Sequence, residues 1–316
     1  MHTATLRFLA AAILTSTALA AGGDAFTDPA NAGPDFATQG EYIGKDCAAQ
    51  VIALGDGKFH IVGWSNGLPG TAEDVEKKTE LDAQREGDRV VFAGDGWKGH
   101  IDAAGITATD ADGATWKLTR TERKSPTLGA KPPAGATVLF DGTNAEQWQG
   151  GQVSPEGFLT MGVKSVASFG ACTLHLEFRT PFMPSARGQG RGNSGCYLQD
   201  RYEVQVLDSF GLKGENNECG GIYTIAKPRV NMCLPPLAWQ TYDIEFESAK
   251  FDNDGRKTKP AVVTVRHNGV LIHDHVEVPK ATMSAGRPEG PDRGPIQLQN
   301  HGNPVFFRNI WVVEKE

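Results

Sequence analysis

Residues 192–209 read GNSGCYLQDRYEVQVLDS, and apolar and polar side chains alternate through most of this stretch. The alternation separates two sets, with Leu198, Tyr202, Val204 and Val206 on one side and Tyr197, Gln199, Arg201, Glu203 and Gln205 on the other. Successive side chains of a β-strand point to opposite faces, so the first set predicts a buried face and the second a polar face. The stretch therefore predicts a strand of an antiparallel sheet with one face against the core.

The same alternation recurs farther along the chain, in Leu174–Arg179, Tyr242–Glu247 and Ile296–His301. Val262–Arg266 and Val270–Val278 are joined through Asn268-Gly269, which is the strongest short hairpin signal. Many antiparallel strands with a single buried face are typical of two sheets packed face to face. We therefore predict a mostly β protein with a C-terminal sandwich.

The N-terminal half shows shorter strands and more turn residues. Gly55-Asp56-Gly57 separates two apolar runs and predicts a hairpin, whereas the polar segment Thr71–Glu86 favours a helix or a solvated loop. Residues 121–136 contain three prolines and show no apolar periodicity, which predicts a linker. We divide the chain into a signal peptide (1–20), a loose arm (21–40), a small antiparallel β domain of no assigned role (41–120), the linker (121–136) and the sandwich (137–316).

Residues 1–20 have the pattern of a secretory signal peptide. Arg7 precedes an apolar run from Phe8 to Leu14, and the segment ends in Ala18-Leu19-Ala20. We therefore expect a periplasmic or secreted protein. A net charge of -7 argues against a nucleic-acid partner, which calls for a basic face. No run approaches the ~18 apolar residues that span a bilayer, so we expect no membrane span.

Export would place the cysteines in an oxidising compartment, where disulfides persist. The chain has Cys47, Cys172, Cys196, Cys219 and Cys233. Cys219 and Cys233 are the closest pair in sequence and flank a loop rich in glycine and proline. We therefore predict a disulfide between them. No Cys or His spacing typical of a zinc site occurs.

The polar faces of the predicted strands carry side chains suited to a sugar. They hold Glu177, Arg179, Tyr197, Arg201, Glu203, Gln205, Gln297, Gln299 and His301. Carboxylates, amides and guanidinium groups hydrogen-bond to hydroxyls, and aromatic rings stack on a pyranose. A solvated outer face with charge pairs explains the pattern equally well. Alternation also leaves open which of the two sheets each strand joins.

Four motifs occur in order along the sandwich. They are Leu139-Phe140-Asp141-Gly142, the stretch 192–209, Trp239-Gln240-Thr241-Tyr242-Asp243 and GPIQLQNHGNP at 294–304, followed by Phe307-Arg308-Asn309-Ile310-Trp311. Together, over residues 137–314, they resemble the signature of the 3-keto-disaccharide hydrolase family. Cys196 departs from the aliphatic residue more usual after Asn-Ser-Gly, and we expect it to change only packing.

The resemblance implies a concanavalin A-like jelly roll that acts on glycosides whose glucose unit is oxidised to a ketone at C3. Such a ketone acidifies the C2 proton, so a base can remove it and the C1 substituent can leave by elimination. Water then adds to the resulting 2-hydroxy-3-keto-glucal. This chemistry needs a base, an acid for the leaving oxygen, and either a protein electrophile or one divalent metal ion for the enediolate.

Two other functions stay open at this point. Jelly rolls of this kind also serve as non-catalytic, lectin-like carbohydrate-binding modules, since fold does not determine function. A conventional glycosidase instead uses two carboxylates flanking the bond, and Glu203 and Glu177 would form that pair if their strands are neighbours.

The polar faces and the resemblance together predict one site. Its catalytic residues are Glu203, His301 and Glu177, and its substrate-binding residues are Gln205, Tyr197, Arg201, Gln297 and Gln299. A neighbouring carboxylate would raise the pKa of Glu203, and neutral imidazole suits His301 as a proton-transfer group or metal ligand. Instead of binding substrate, Arg201 could have a structural role as the partner of a carboxylate. We expect Glu177, Glu203 and His301 within about 10 Å of each other.

Overall fold

The computed structural model describes residues 24–315, and the predicted signal peptide lies outside them. The protein is mostly β, as predicted, with a closed N-terminal barrel followed by a two-sheet sandwich. Within the described residues, no helix has the length and apolar character needed to cross a membrane.

Eight antiparallel strands form the barrel in sequence order, and β1 pairs with β8 to close it. They are β1 (Gly40–Gly44), β2 (Cys47–Gly55), β3 (Lys58–Ser65), β4 (Glu76–Glu86), β5 (Arg89–Gly94), β6 (Trp97–Asp102), β7 (Gly105–Thr109) and β8 (Thr115–Thr121). The hairpin predicted at Gly55-Asp56-Gly57 is confirmed as the turn between β2 and β3.

Two expectations for the N-terminal half are wrong. Most of Thr71–Glu86 is strand β4, in which Leu81 and Ala83 are buried in the barrel and the residues between them are exposed. Most residues of β4 are charged or polar and exposed, so this short alternation is hard to recognise in the sequence. The expected loose arm contains a 3-10 turn (Pro29–Asn31) and helix α1 (Gly33–Thr38), which packs on β2 at one end of the barrel.

The sandwich consists of a five-stranded sheet, ordered β10-β12-β21-β14-β15, and a seven-stranded sheet, ordered β11-β22-β13-β16-β19-β20 with β9 on β22. The strands are β9 (Thr137–Phe140), β10 (Trp148–Gln149), β11 (Leu159–Thr160), β12 (Val163–Phe169), β13 (Cys172–Arg179), β14 (Ser194–Leu198), β15 (Tyr202–Val206), β16 (Gln240–Glu247), β17 (Lys250–Phe251), β18 (Lys257–Lys259), β19 (Ala261–His267), β20 (Val270–Val278), β21 (Gly294–Leu298) and β22 (Phe306–Glu314). Strands β17 and β18 form a separate hairpin, and a 3-10 turn covers Gly188–Gly190.

The core lies between these two sheets. Leu176 and Phe178 of the seven-stranded sheet meet Leu198 and Val204 of the five-stranded sheet in one cluster of fully buried side chains. Burying a side chain of this size contributes about 1.5–3 kcal/mol, so the alternating apolar residues determine which face of each strand turns inward. The polar faces of both sheets consequently point away from the core.

The stretch 192–209 is a hairpin and not one strand. Residues 199–201 turn the chain, with Gln199 and Asp200 at positive φ, and β14 then pairs with β15. Tyr197 pairs with Glu203, and Leu198 pairs with Tyr202. Paired residues have the same parity, so the alternation continues through the turn and the two faces are as predicted.

Candidate functional site

A row of polar side chains crosses the outer face of the five-stranded sheet. Lys164 of β12 pairs with Gln297 of β21, Gln297 pairs with Tyr197 of β14, and Tyr197 pairs with Glu203 of β15. Directly paired residues on neighbouring strands have adjacent side chains. The pairing register thus brings residues from three distant segments of the chain into one line.

Glu203 is the buried carboxyl group of this row, with 2% of its surface exposed. Burial raises the pKa of Glu203 to about 8, although the Tyr197 hydroxyl, which donates to Oε2 at 2.7 Å, acts in the opposite direction. Gln299 Nε2 in turn donates to the Tyr197 oxygen at 3.2 Å. The carboxyl group therefore exchanges its proton near neutral pH, as acid-base catalysis requires.

Gly195 makes room for this carboxyl group. It pairs with Gln205, and a Cβ atom at Gly195 would collide with Glu203 Oε1. This role of Gly195 is not evident from the sequence, although the Asn-Ser-Gly motif contains the residue. A glycine in a strand interior often marks the close approach of another group.

Three amide oxygens beside the row are buried and have no hydrogen-bond partner among the described residues. They belong to Gln205, Gln297 and Asn193. Gln205 Nε2 and Asn193 Nδ2 both donate to Gln189 Oε1, at 3.0 and 3.1 Å, which fixes the two amides beside each other. A buried acceptor without a donor costs free energy, so these oxygens suit a ligand that brings hydroxyl groups.

Two loops cover this face and bury Glu203. The loop before β14 brings Gln189 and Asn193, and the loop between β20 and β21 brings Thr282 and Met283. Thr282 Oγ1 accepts a hydrogen bond from the Glu203 backbone N–H at 3.0 Å, and the Met283 carbonyl lies 3.2 Å from the Tyr197 hydroxyl. Lys164, Gln297 and Gln299 keep partial exposure, so the row opens to solvent on their side.

The expectation that Glu177 shares this site is wrong. Glu177 belongs to β13 of the seven-stranded sheet, where it accepts from Arg308 Nε at 2.7 Å, Asn309 Nδ2 at 2.9 Å and the Gly129 N–H. Burial raises its pKa, but hydrogen bonds from His175 and these donors outweigh burial and lower the pKa to about 2. Alternation predicted its polar face correctly but not its sheet.

Arg201 is also not part of the row. It lies in the turn between β14 and β15, and its guanidinium donates to the carbonyls of Pro288 and Asp292 at 2.7 and 2.8 Å and to Gln199 Oε1. Its partners are mostly backbone oxygens of the covering loop, so it anchors that loop. Between residues 24 and 315, no carboxylate forms an ion pair with Arg201, so the alternative of a carboxylate partner is not observed either.

His301 follows β21 in an exposed loop. It lies two residues beyond Gln299, which reaches the Tyr197 hydroxyl. Its proximity to Glu203 stays a prediction.

The predicted Cys219–Cys233 disulfide is not formed. Both residues are buried free thiols, as Cys172 and Cys196 are. Cys219 Sγ lies 3.3 Å from the Tyr242 hydroxyl, and Cys233 Sγ donates to the Leu207 carbonyl at 3.4 Å. The two side chains are also neighbours in the core. Cys196 is fully buried, as expected for a packing residue.

A metal site does not emerge at this face. In the part of the chain from residue 24 to residue 315, no group of three or more His, Cys, Asp or Glu side chains is arranged to hold a metal ion. We therefore assign no ligands to the divalent metal considered from the sequence and derive no step through one.

The polar row, its hairpin and its covering loops lie in a region that matches a known family. The profile of the 3-keto-alpha-glucoside-1,2-lyase-like domain matches residues 135–313, more than half of the chain. The chain belongs to this 3-keto-alpha-glucoside-1,2-lyase-like family. The resemblance drawn from the four motifs is thus confirmed.

Solved structures similar to this member of the family come from Parabacteroides distasonis ATCC 8503. A putative glycosyl hydrolase is 34% identical, with a TM-score of 0.54, over 58% of this chain and 85% of that chain. Two others, also putative glycosyl hydrolases, are 17% and 19% identical with TM-scores of 0.42 and 0.40, over 58% and 57% of this chain and 94% and 99% of theirs. These two are too remote to bear on function. No curated protein matches the chain.

Membership of the 3-keto-alpha-glucoside-1,2-lyase-like family supports a carbohydrate-active function for the sandwich. The polar row lies in the matched region and holds a buried carboxyl group of raised pKa, with three unpartnered amide oxygens in it or beside it. The barrel strands, from Gly40 to Thr121, lie outside the matched region.

Proposed function

We propose that this protein cleaves 3-keto-glycosides and that Glu203 is the base that removes the C2 proton. The observation that carries the proposal is the buried Glu203 carboxyl, whose pKa is raised to about 8, in the family-matched face. A catalytic base works best when its pKa lies near the working pH.

The reaction proceeds by elimination and then hydration. The Glu203 carboxylate takes the C2 proton, the electron pair forms a C1=C2 double bond, and the C1–O bond breaks as the leaving oxygen takes up a proton. Water then adds its hydroxyl to C1 and a proton to C2, so the net reaction is hydrolysis. His301 is the candidate donor to the leaving oxygen.

The amides hold the sugar for this reaction. The unpartnered oxygens of Gln205, Gln297 and Asn193 accept hydrogen bonds from sugar hydroxyls, which satisfies groups that are otherwise buried without donors. Tyr197, hydrogen-bonded to Glu203 and Gln299, orients the carboxyl group. Preorganised contacts of this kind reduce the entropic part of the activation free energy of the reaction.

The placement of Glu177 removes the basis for the two-carboxylate glycosidase that pairs it with Glu203. Glu203 lies in the five-stranded sheet and Glu177 in the seven-stranded sheet. The signal-peptide pattern of residues 1–20 leads us to place the enzyme in the periplasm or outside the cell.

Release of the leaving group from a 3-keto-glucoside, or of 3-keto-glucose from 3-keto-trehalose, tests the proposal. We expect turnover by the purified protein and no turnover of the same glycoside with an intact C3 hydroxyl. Glu203→Gln should lower kcat/KM by a factor on the order of 10²–10⁴, the usual contribution of a positioned base. Glu277→Gln, at an exposed position of β20, is the matched control and should retain activity.

Failure to release product from any 3-keto-glycoside, with or without added divalent metal, contradicts the proposal. Sugar binding that is unchanged in Glu203→Gln, with no turnover by the unmodified protein, would instead identify a lectin-like module. Equal cleavage of the unoxidised glycoside would identify a glycosidase without the 3-keto requirement.

A further inference from the structure

The barrel has an apolar interior that is closed at one end. Phe36 of α1 and Phe182 of the sandwich pack against its core and contact each other edge to face at 5.3 Å. This end carries the β2–β3 turn, near which α1 packs on β2. Aromatic side chains therefore fill this end of the barrel, and the residues that line a cavity lie towards the opposite end.

A cavity occupies the half of the barrel interior that lies away from Phe36 and Phe182. Its volume is about 190 Å³. Space is available because small residues line the wall, among them Ala49 of β2, Gly63 of β3 and Ala108 of β7. This volume is below the roughly 300–1,000 Å³ of pockets for drug-sized molecules, so the cavity suits one compact ligand, as eight-stranded barrels can hold.

Aromatic rings stand at the mouth. Trp97 is the first residue of β6, and Trp116 lies near the start of β8. Their rings contact each other edge to face, with centroids 6.0 Å apart. Trp116 Nε1 donates to Asp110 Oδ2 at 2.9 Å, which fixes the orientation of that ring. A fixed aromatic pair on an apolar wall favours a ligand that presents a planar ring, because offset and edge-to-face contacts stabilise such pairs.

Two residues that line the cavity, Trp64 and Thr79, have a buried polar atom without a partner among the described residues. Trp64 packs against the core of the sandwich, so Thr79 is the one that belongs to the barrel interior. The buried hydroxyl oxygen of Thr79, a residue of β4 that lines the cavity, makes no hydrogen bond. The charged residues that line the cavity, Asp46 and Lys78, are both exposed and lie at its rim. The hydroxyl group of Ser65, which also lines the cavity, donates to the Glu76 carbonyl. Thr79 thus supplies the unpartnered hydroxyl group, and the charged groups stay at the rim, which favours a neutral ligand.

We propose that the barrel binds one neutral, mostly apolar small molecule that carries a planar ring and a single hydrogen-bonding group, held by Thr79 Oγ1. This site lies outside the family-matched region and does not depend on the chemistry assigned to Glu203. It gives the barrel a binding role of its own.

Fluorescence titration of the full chain with 1-aminoanthracene, which has fused rings and one uncharged amine, tests the proposal. We expect saturable one-to-one binding with a dissociation constant on the order of 10–100 µM, a modest value for a ligand of this size. Thr79→Val, which keeps the shape and removes the hydroxyl, should weaken binding about fivefold. Ala49→Phe, which fills the cavity, should abolish binding.

Thr107→Phe is the matched control, because Thr107 lies on β7 next to Ala108 and its side chain points to the outer face of the barrel. It should bind the probe as the unmodified chain does. Absence of saturable binding, or equal affinity in the three variants, overturns the proposal. If Ala49→Phe does not fold by circular dichroism, equal affinities of Thr79→Val and Thr107→Phe overturn it.

Discussion

At the scale of single residues, Glu203 is buried, and one hydrogen bond stabilises its ionised form. Its side chain accepts the Tyr197 hydroxyl, and no cation contacts it among the described residues. The folded state therefore favours the protonated carboxyl group, which explains why its pKa is raised to about 8. A buried carboxyl group of this kind lowers the free energy of unfolding when it ionises, and this decrease is measurable.

We expect Glu203→Gln to be more stable than the unmodified protein at pH 9 and equally stable near pH 4.5. Between the ordinary value of 4.5 and about 8, the folded state retains a proton that the unfolded state has lost, so the free energy of unfolding falls as pH rises. The difference should reach the order of a few kcal/mol, since one pKa unit corresponds to about 1.4 kcal/mol. Denaturant unfolding at both pH values measures it, and a difference independent of pH contradicts the raised pKa.

At the scale of elements, the β14–β15 hairpin determines which side chains form the site. Alternation predicts that Tyr197, Glu203 and Gln205 share a polar face, and the pairing register confirms it. The sequence does not reveal the turn at residues 199–201, because paired residues have equal parity on both sides of it. Nor does it distinguish Glu177 from Glu203, since the sheet that a strand joins depends on pairing between distant segments.

Gly195→Ala should separate the position of the Glu203 carboxyl from the stability of the hairpin. The new methyl group would meet the flexible end of Glu203, so the strand can form while the carboxyl group moves. A displacement of about 1 Å can cost on the order of 10² in kcat/KM. Gly170→Ala, whose Cβ would meet only Arg293 Cγ at 4.0 Å, is the control. Equal activity of both variants, measured as kcat/KM, would show that Gly195 does not position Glu203.

The segment that joins barrel and sandwich covers the outer face of the seven-stranded sheet. Gly129 donates its N–H to Glu177, and Ser125 and Thr127 hydroxyls lie 2.6 and 3.0 Å from Thr241 Oγ1. The expected linker is thus packed against the sheet, where Glu177 accepts a hydrogen bond from its backbone. Prolines and missing periodicity in the sequence indicate the extended backbone but not this attachment.

Glu177→Gln should therefore reduce stability and leave catalysis intact. Removing the charge leaves Arg308 without its partner, and because the Arg308 side chain is 33% exposed, the cost should be about 1.5–3 kcal/mol, the usual contribution of a hydrogen bond to a charged group. The pKa of Glu177 is lowered to about 2, so this stabilisation is present above pH 4.5 and lost as pH falls towards 2. Thermal unfolding and kcat/KM measure the two effects. A loss of activity comparable to that of Glu203→Gln would restore Glu177 to the catalytic site.

At the scale of the whole molecule, the barrel holds a loop that shapes the site. Arg191 donates to Asp208 at 2.7 Å and to the Ala53 carbonyl of β2 at 3.2 Å, and all of these groups are buried. The same loop carries Gln189, which accepts hydrogen bonds from Gln205 and Asn193. Arg191 thus connects the barrel to the loop that positions the amides of Gln205 and Asn193.

Arg191→Met should lower stability by about 3–5 kcal/mol, because it leaves the Asp208 carboxylate buried without a partner. It should also raise KM, since Gln189 loses its support. Adding Asp208→Asn should recover part of the stability but not the KM. Arg187→Met, which removes a more exposed contact with the Leu54 carbonyl, is the control. Denaturant unfolding and steady-state kinetics test this connection, and an unchanged KM in Arg191→Met contradicts it.

The central claim is that Glu203 removes the C2 proton of a 3-keto-glycoside, and the fate of that proton in D₂O tests it directly. Elimination followed by hydration takes the new C2 hydrogen from solvent, so nuclear magnetic resonance should show deuterium at C2 of the released 3-keto-glucose, beyond that in an enzyme-free control. Glu203→Gln should abolish both release and incorporation. Product released with its C2 proton retained would contradict the account.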